Sequence, residues 1–330
     1  MRLYVGLVTR AWLRRMRTSR PADVVVWTAA ARGFRALRPG EPFLCKLHAP
    51  DHAIVGGGWF VRALTLPASQ LWMAFGPDAG ADDPAALLAA IDHDLGGPAG
   101  GGADEPPRAT ADAAGAEDGG RPLPARRPAA PDVHAVLLTR PFWLTDGAWL
   151  PMPADWHPYT PHGRAYDADD GVGRETWAAL AERMPGADGG APGAPDAAPE
   201  ERAAWAHAGL GPAGFRTLVA DAYRRCAITG ERAPVLLEAT HIRPVSRGGA
   251  HRVANGVLLR ADLRRAFDHG LLTVDAADMR VRVAPALRHG ASTHGLAGLD
   301  GRPLRVLPER LEEMPDRTEL AFHAAHVYRG

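Results

Sequence analysis

Three residues in the C-terminal part carry side chains that could act together. They are His241, Asn255 and Arg264, separated by thirteen and by eight intervening residues. An imidazole titrates near neutrality and can take a proton from water at ordinary pH. A guanidinium stays charged and can settle an anion, but it offers no lone pair to a cation. Nearby stand His251, Asp268 and His269, whose nitrogen and oxygen atoms are possible ligands for a divalent ion. A base, an amide, a fixed positive charge and possible cation ligands make a set suited to water attack beside a phosphate.

Such groups work only if the backbone aims them. The pattern around them predicts a strand over 236–242, a glycine-containing loop over 246–252, a second strand over 257–259 and a short helix over 262–267. His241 then ends the first strand, Asn255 precedes the second and Arg264 rides on the helix. An amphipathic helix over 215–225 leads in, with Leu218, Val219 and Tyr223 apolar. A hairpin over 271–274 and 281–283 leads out. Leu304, Val306, Leu311, Leu320 and Phe322 in the tail are expected to pack on the same unit.

The stretch LEATHIRPVSRGGAHRVANGVLLRADLRRAFDHGLLTVD resembles the HNH nucleases, in particular the branch found in bacterial restriction endonucleases. The resemblance implies a ββα-metal unit that hydrolyses phosphodiester bonds. It makes His241 the general base, has Asn255 orient that imidazole or help hold the metal, and puts Arg264 where the pattern has its last histidine. Thr240 stands where many members carry an aspartate ligand, an aspartate that the restriction branch often lacks. Three arrangements stay open. Asn255 holds the metal through a water shell while Arg264 stabilises transition-state charge; or His251, Asp268 or His269 supplies the ligand; or the site is degenerate and binds DNA without cutting. The implied ion is Mg²⁺, or Mn²⁺ in its place. With only Cys45 and Cys226 in the chain, a four-cysteine zinc knuckle is excluded and no structural zinc is expected.

Composition sets outer limits. A length of 330 residues predicts about two domains. The net charge is zero, yet between residues 216 and 288 arginines outnumber acidic residues 13 to 7, the sign that phosphate contacts need. The first residues lack a signal-peptide pattern, and no run nears the roughly 20 apolar residues of a membrane span. The expectation is a soluble cytoplasmic protein.

Toward the N-terminus, strands are predicted over 3–8, 24–27, 43–47, 54–61 and 133–138, and helices over 11–16, 69–95 and 171–184. The Pro39–Gly40 turn, the Gly40–Glu41 pair, His48, the Gly-rich strand 55–59, Trp149, Trp156 and the segment GRAYD at Gly163–Asp167 resemble the EVE-type modules of the PUA superfamily. That resemblance implies a small β-barrel with helices that holds one extruded base between aromatic walls. Trp27 and Trp59, each bordering a loop at a strand end, are its candidate base-binding walls; Arg32 and Lys46 are candidate phosphate contacts. The fold class expected is α+β, with this barrel over 1–184, a disordered insertion at about 96–131, a linker over 185–201 and the nuclease domain over 202–330.

A base reader joined to a phosphodiesterase predicts a modification-dependent restriction endonuclease that flips a modified cytosine out of double-stranded DNA. The alternatives are a catalytically degenerate binder of modified DNA and an RNA-directed nuclease. Cutting both strands with one site per chain would call for a homodimer.

Overall fold

A computed structural model of the chain describes residues 1–28, 33–94, 131–157, 160, 163–184, 197–288 and 295–330. Strand β1 (Arg2–Val8) leads through Thr9, whose hydroxyl caps the Trp12 N–H, into α1 (Arg10–Ser19). Trp12, Leu13 and Met16 turn one face of that helix inward. Strands β2 (Asp23–Thr28) and β3 (Pro42–Leu47) follow, then the long β4 (Ala53–Pro67). Helices α2 (Ala68–Phe75) and α3 (Pro84–Asp94) precede β5 (Asp132–Trp143), β6 (Leu150–Pro151), β7 (Gly163–Asp167) and α4 (Gly171–Ala181).

These strands form one sheet in the order β2-β5-β4-β3-β1-β7, with β6 pairing β4. β1 and β3 run parallel, Tyr4 beside Phe43 and Val8 beside Leu47; the other pairs are antiparallel. Register shifts at Cys45/Lys46, Gly57/Trp59 and Phe60/Arg62 bend the sheet, but β2 and β7 end it without pairing each other. Among the described residues the sheet is therefore open, and the expected small barrel is not shown. The reason lies at the edges. α4 packs on β7, while α6 (Pro212–Tyr223) packs on β2, so helices rather than a closing strand pair cover the ends.

The second half contributes α5 (Pro199–Ala208), α6, β8 (Leu237–His241), β9 (Gly256–Arg260), α7 (Ala261–Asp268), β10 (Leu272–Val274), β11 (Val281–Val283), α8 (Pro285–Arg288) and α9 (Arg317–His326). The hairpin-then-helix order and the later β10–β11 hairpin follow the sequence pattern closely. Leu304 and Leu320 are buried as expected, but Leu311 is 86% exposed, because a short turn at Leu311–Glu313 directs Glu313 inward and Leu311 out.

One apolar core crosses the chain. It joins Leu64, Leu66, Leu71, Ile91 and Val133 to Phe215, Leu218, Val257, Leu263 and Phe267. The expected insertion falls on residues outside those described, apart from Pro131, and so does most of the 185–201 linker. From Pro199 the chain is helical, and Trp205 of α5 meets Trp59 edge-on at 5.1 Å. Polar ties reinforce the junction. The buried Asp23 carboxylate of β2 accepts from Gly211 N and Gly214 N, each at 2.7 Å, at the start of α6. Arg62 of β4 pairs with Glu313 and with Asp221.

The carboxylate of Asp23 satisfies two helix N–H groups that have no intrahelical partner. Asp23→Ala should lower the urea-measured unfolding free energy by about 1–3 kcal/mol, whereas Leu311→Ser should change it by less than about 0.5 kcal/mol.

Candidate active site

β8 and β9 pair antiparallel with Leu237 opposite Arg260 and His241 opposite Gly256. That register puts His241 at the strand's last position, where Pro244 soon removes a ladder donor. The ring of Phe215 from α6 lies flat on the imidazole, centroids 3.8 Å apart and planes 10° from parallel. Gly256 permits this approach: a Cβ there would stand 2.5 Å from Val219 Cγ2 and 3.0 Å from the Phe215 ring. His251 Nδ1 lies 2.9 Å from His241 Nε2, joining the two imidazoles.

Asn255 is fully buried. Its Oδ1 accepts from Arg243 N at 2.8 Å, and its Nδ2 donates to Arg243 O at 3.1 Å and Ala250 O at 3.0 Å. The amide thus staples both ends of the 243–250 loop. Gly249 completes the staple, since a Cβ there would meet Arg243 O at 1.9 Å. The structure places Asn255 under the loop that carries the histidines, with its polar atoms spent on backbone.

α7 buries Leu263, Ala266 and Phe267 and turns its other face to β8. Asp268 Oδ1 accepts from Thr240 Oγ1 at 2.6 Å, next to His241. One turn earlier, Arg264 Nη1 donates to Glu238 Oε2 at 2.5 Å, and its Nε lies 3.0 Å from Asp268 Oδ2. The helix position that reaches the end of β8 is therefore Asp268. Arg264 faces the strand's beginning, paired on both sides.

Thr240, His241, Asp268 and His269 form one wall of a groove of about 650 Å³. Arg247, His326 and Arg329 belong to the same groove, and Arg247 is anchored by donating to His326 O at 2.6 Å. The lining is rich in cationic and imidazole groups, the character a polyanionic strand needs. Burial holds His241 down to about 4, with the neighbouring His251 and Arg216 acting in the same direction. At neutral pH its ring is uncharged, the form a general base requires.

As arranged, these residues do not make a cation cage. Among the described residues no three His, Cys, Asp or Glu side chains gather as ligands. Asn255 is buried with both amide atoms bonded to backbone, and Arg264 occupies carboxylate oxygens of both Glu238 and Asp268. Cys226 has a local role, its Sγ accepting from Thr229 N and Arg260 N.

The N-terminal candidates fare differently. Trp59 is 4% exposed and packed edge-to-face on Trp177 and Trp205, so among the described residues it sits in the core. Lys46 is 1% exposed; its Nζ donates to Leu47 O and lies 4.8 Å from the Trp156 ring centroid. Trp27 is half-buried, with Nε1 donating to Ala79 O at 2.7 Å, and Arg32 lies outside the described residues. The sequence reading missed Phe215 and the wall supplied by Arg247, His326 and Arg329. Phe215 was visible only as one more apolar residue of an amphipathic helix, and His326 and Arg329 come to the wall from a segment distant in the chain.

Residues 226–275 match the family model described as HNH endonuclease. The C-terminal part of the chain therefore carries an HNH endonuclease domain, which spans β8, β9 and α7. No curated protein matches the chain.

Behind this site His323 is buried, stacked on Phe267 at 3.8 Å and hydrogen-bonded to Thr273 Oγ1. Burial holds it down to about 4. The unfolded chain takes up this proton below its ordinary value of about 6.5 while the folded chain does not until about 4. Stability should therefore fall as pH drops through that window, by roughly 3 kcal/mol from this group. Urea titrations at pH 4 and pH 7 should show the difference narrowed by about that amount in His323→Gln.

Proposed function

We propose that this chain is an endonuclease that hydrolyses DNA phosphodiester bonds with His241 as the general base. The observation that carries the reading is the half-buried imidazole at the end of β8, stacked on Phe215 on the wall of a basic groove, inside the segment matched to the HNH endonuclease family. His251 orients that imidazole through their shared hydrogen bond, and Arg247 and Arg329 supply charge for the backbone. HNH nucleases generally use a divalent metal ion; Mg²⁺ or Mn²⁺ is the ion proposed here.

The finer reading is modification-dependent restriction. Its support is the resemblance of most of residues 1–180 to EVE-type modules and the order of the two segments. Modified double-stranded DNA is then the partner, a homodimer the form that cuts both strands, and the cytoplasm the place of action. Among the described residues no helix is long and apolar enough to cross a membrane. A second reading, a DNA binder without cleavage, is favoured by one observation: Arg264 ties up two carboxylates beside the site.

Duplexes containing 5-methyl- or 5-hydroxymethylcytosine, incubated beside unmodified duplex with Mg²⁺ or Mn²⁺, test these readings. Preferential cutting of modified DNA is expected, with a loss of about 10²-fold or more in His241→Ala. Cutting that survives His241→Ala would overturn the base assignment, and equal cutting of both duplexes the modification-dependent part. No cutting by the natural chain, with cutting created by Arg264→His, would establish the second reading.

A further inference from the structure

A second cavity, of about 750 Å³, lies between the two halves of the chain. Its floor is apolar, built from Leu64 and Leu66 of β4, Met73 of α2, and Leu237 and Leu258 of the hairpin. Two acidic residues line it, and both are already paired: Asp221 with Arg62, and Glu238 with Arg264. Thr65 and Thr217 also spend their hydroxyls, on His134 Nδ1 and Ala213 O.

What remains unspent is specific. Arg216 on α6 is exposed and, among the described residues, makes no hydrogen bond or ion pair. Arg224, which caps the end of the same helix, has only a long contact from Nε to Asp221 O at 3.4 Å. Across from them the part-buried amide of Gln70 on α2 has no hydrogen-bond partner among the described residues. The cavity thus offers two uncompensated guanidinium groups, an apolar lining and one amide without a partner among the described residues.

We infer that this cleft binds a nucleotide, its base on the Leu64–Leu237 floor with an edge on Gln70 and its phosphate on Arg216 and Arg224. Each part follows from the chemistry of the lining. A guanidinium meets a phosphate through two parallel N–H groups. An unpaired glutamine amide presents a donor beside an acceptor, the complement of a base edge such as adenine's. An inorganic anion would leave the floor bare, and an apolar chain would strand the amide, so neither uses the whole lining. The ligand is a free mononucleotide or one extruded from a strand, and the two share this chemistry. The inference does not depend on the nuclease reading.

Calorimetric titration of the full chain in EDTA, where binding is read without cleavage, separates the outcomes. The probes are dAMP, a duplex with one unpaired adenine, octanoate and inorganic phosphate. Binding of dAMP, or of the bulged duplex above fully paired duplex, is expected. It should weaken at least tenfold in the Arg216→Gln/Arg224→Gln double variant and measurably in Gln70→Leu, with thermal unfolding unchanged. If dAMP fails while the bulged duplex binds, the source is an extruded nucleotide. The inference is overturned if neither binds at millimolar concentration. It is equally overturned if octanoate or phosphate binds as well as dAMP, or if the variants leave binding intact.

Discussion

The ring of Phe215 lies flat on the imidazole of His241, and most of this structure serves to keep it there. α6 carries that ring, and it is fixed from three sides. Asp23 holds its first N–H groups from the sheet, Leu218 and Val219 bury it in the shared core, and Gly256 clears the space for close approach to β9. Stacking on an apolar face removes water from the imidazole, and removing water disfavours its charged form. A histidine left at a solvated strand end would carry charge at mildly acidic pH. This one is kept neutral by a helix whose anchor is 218 residues away in sequence from the histidine it packs on, at Asp23.

The electrostatics of α7 follow from the same register. Because Asp268 rather than Arg264 reaches the end of β8, the row from Glu238 through Arg264 and Asp268 to Thr240 alternates in charge and ends on a hydroxyl. Arg264 spends its charge within that row instead of projecting it at His241. The arginine at the last motif position is thereby a brace between strand and helix, and the groove's own positive character comes from Arg247 and Arg329.

How much of this could be read from the letters depends on range. The hairpin, its loop and the following helix depend on patterns within about ten residues, and Leu237–His241, Gly256–Arg260 and Ala261–Asp268 lie close to where those patterns put them. Asn255 was legible as a candidate but not in its contacts, since nothing local says that its amide faces the backbone of Arg243 and Ala250. Lys46 and Trp59 show the limit most clearly. A lysine in an apolar strand reads as a surface contact until Trp156 is folded over it. A tryptophan at a strand end reads as a pocket wall until Trp177 and Trp205 arrive from distant helices. The choice between a closed barrel and an open sheet is of the same kind, decided by which helices reach the edges of β2 and β7.

The chemistry of the site depends on one quantity, the charge state of a single imidazole. Following the ring resonances of His241 by NMR across a pH titration measures it directly, with assignment by comparison to His241→Gln. The midpoint should lie near 4, about where burial against Phe215 and the neighbouring His251 hold it. A midpoint at or above the ordinary histidine value of about 6.5 would mean that the ring is solvated and that α6 does not set its chemistry.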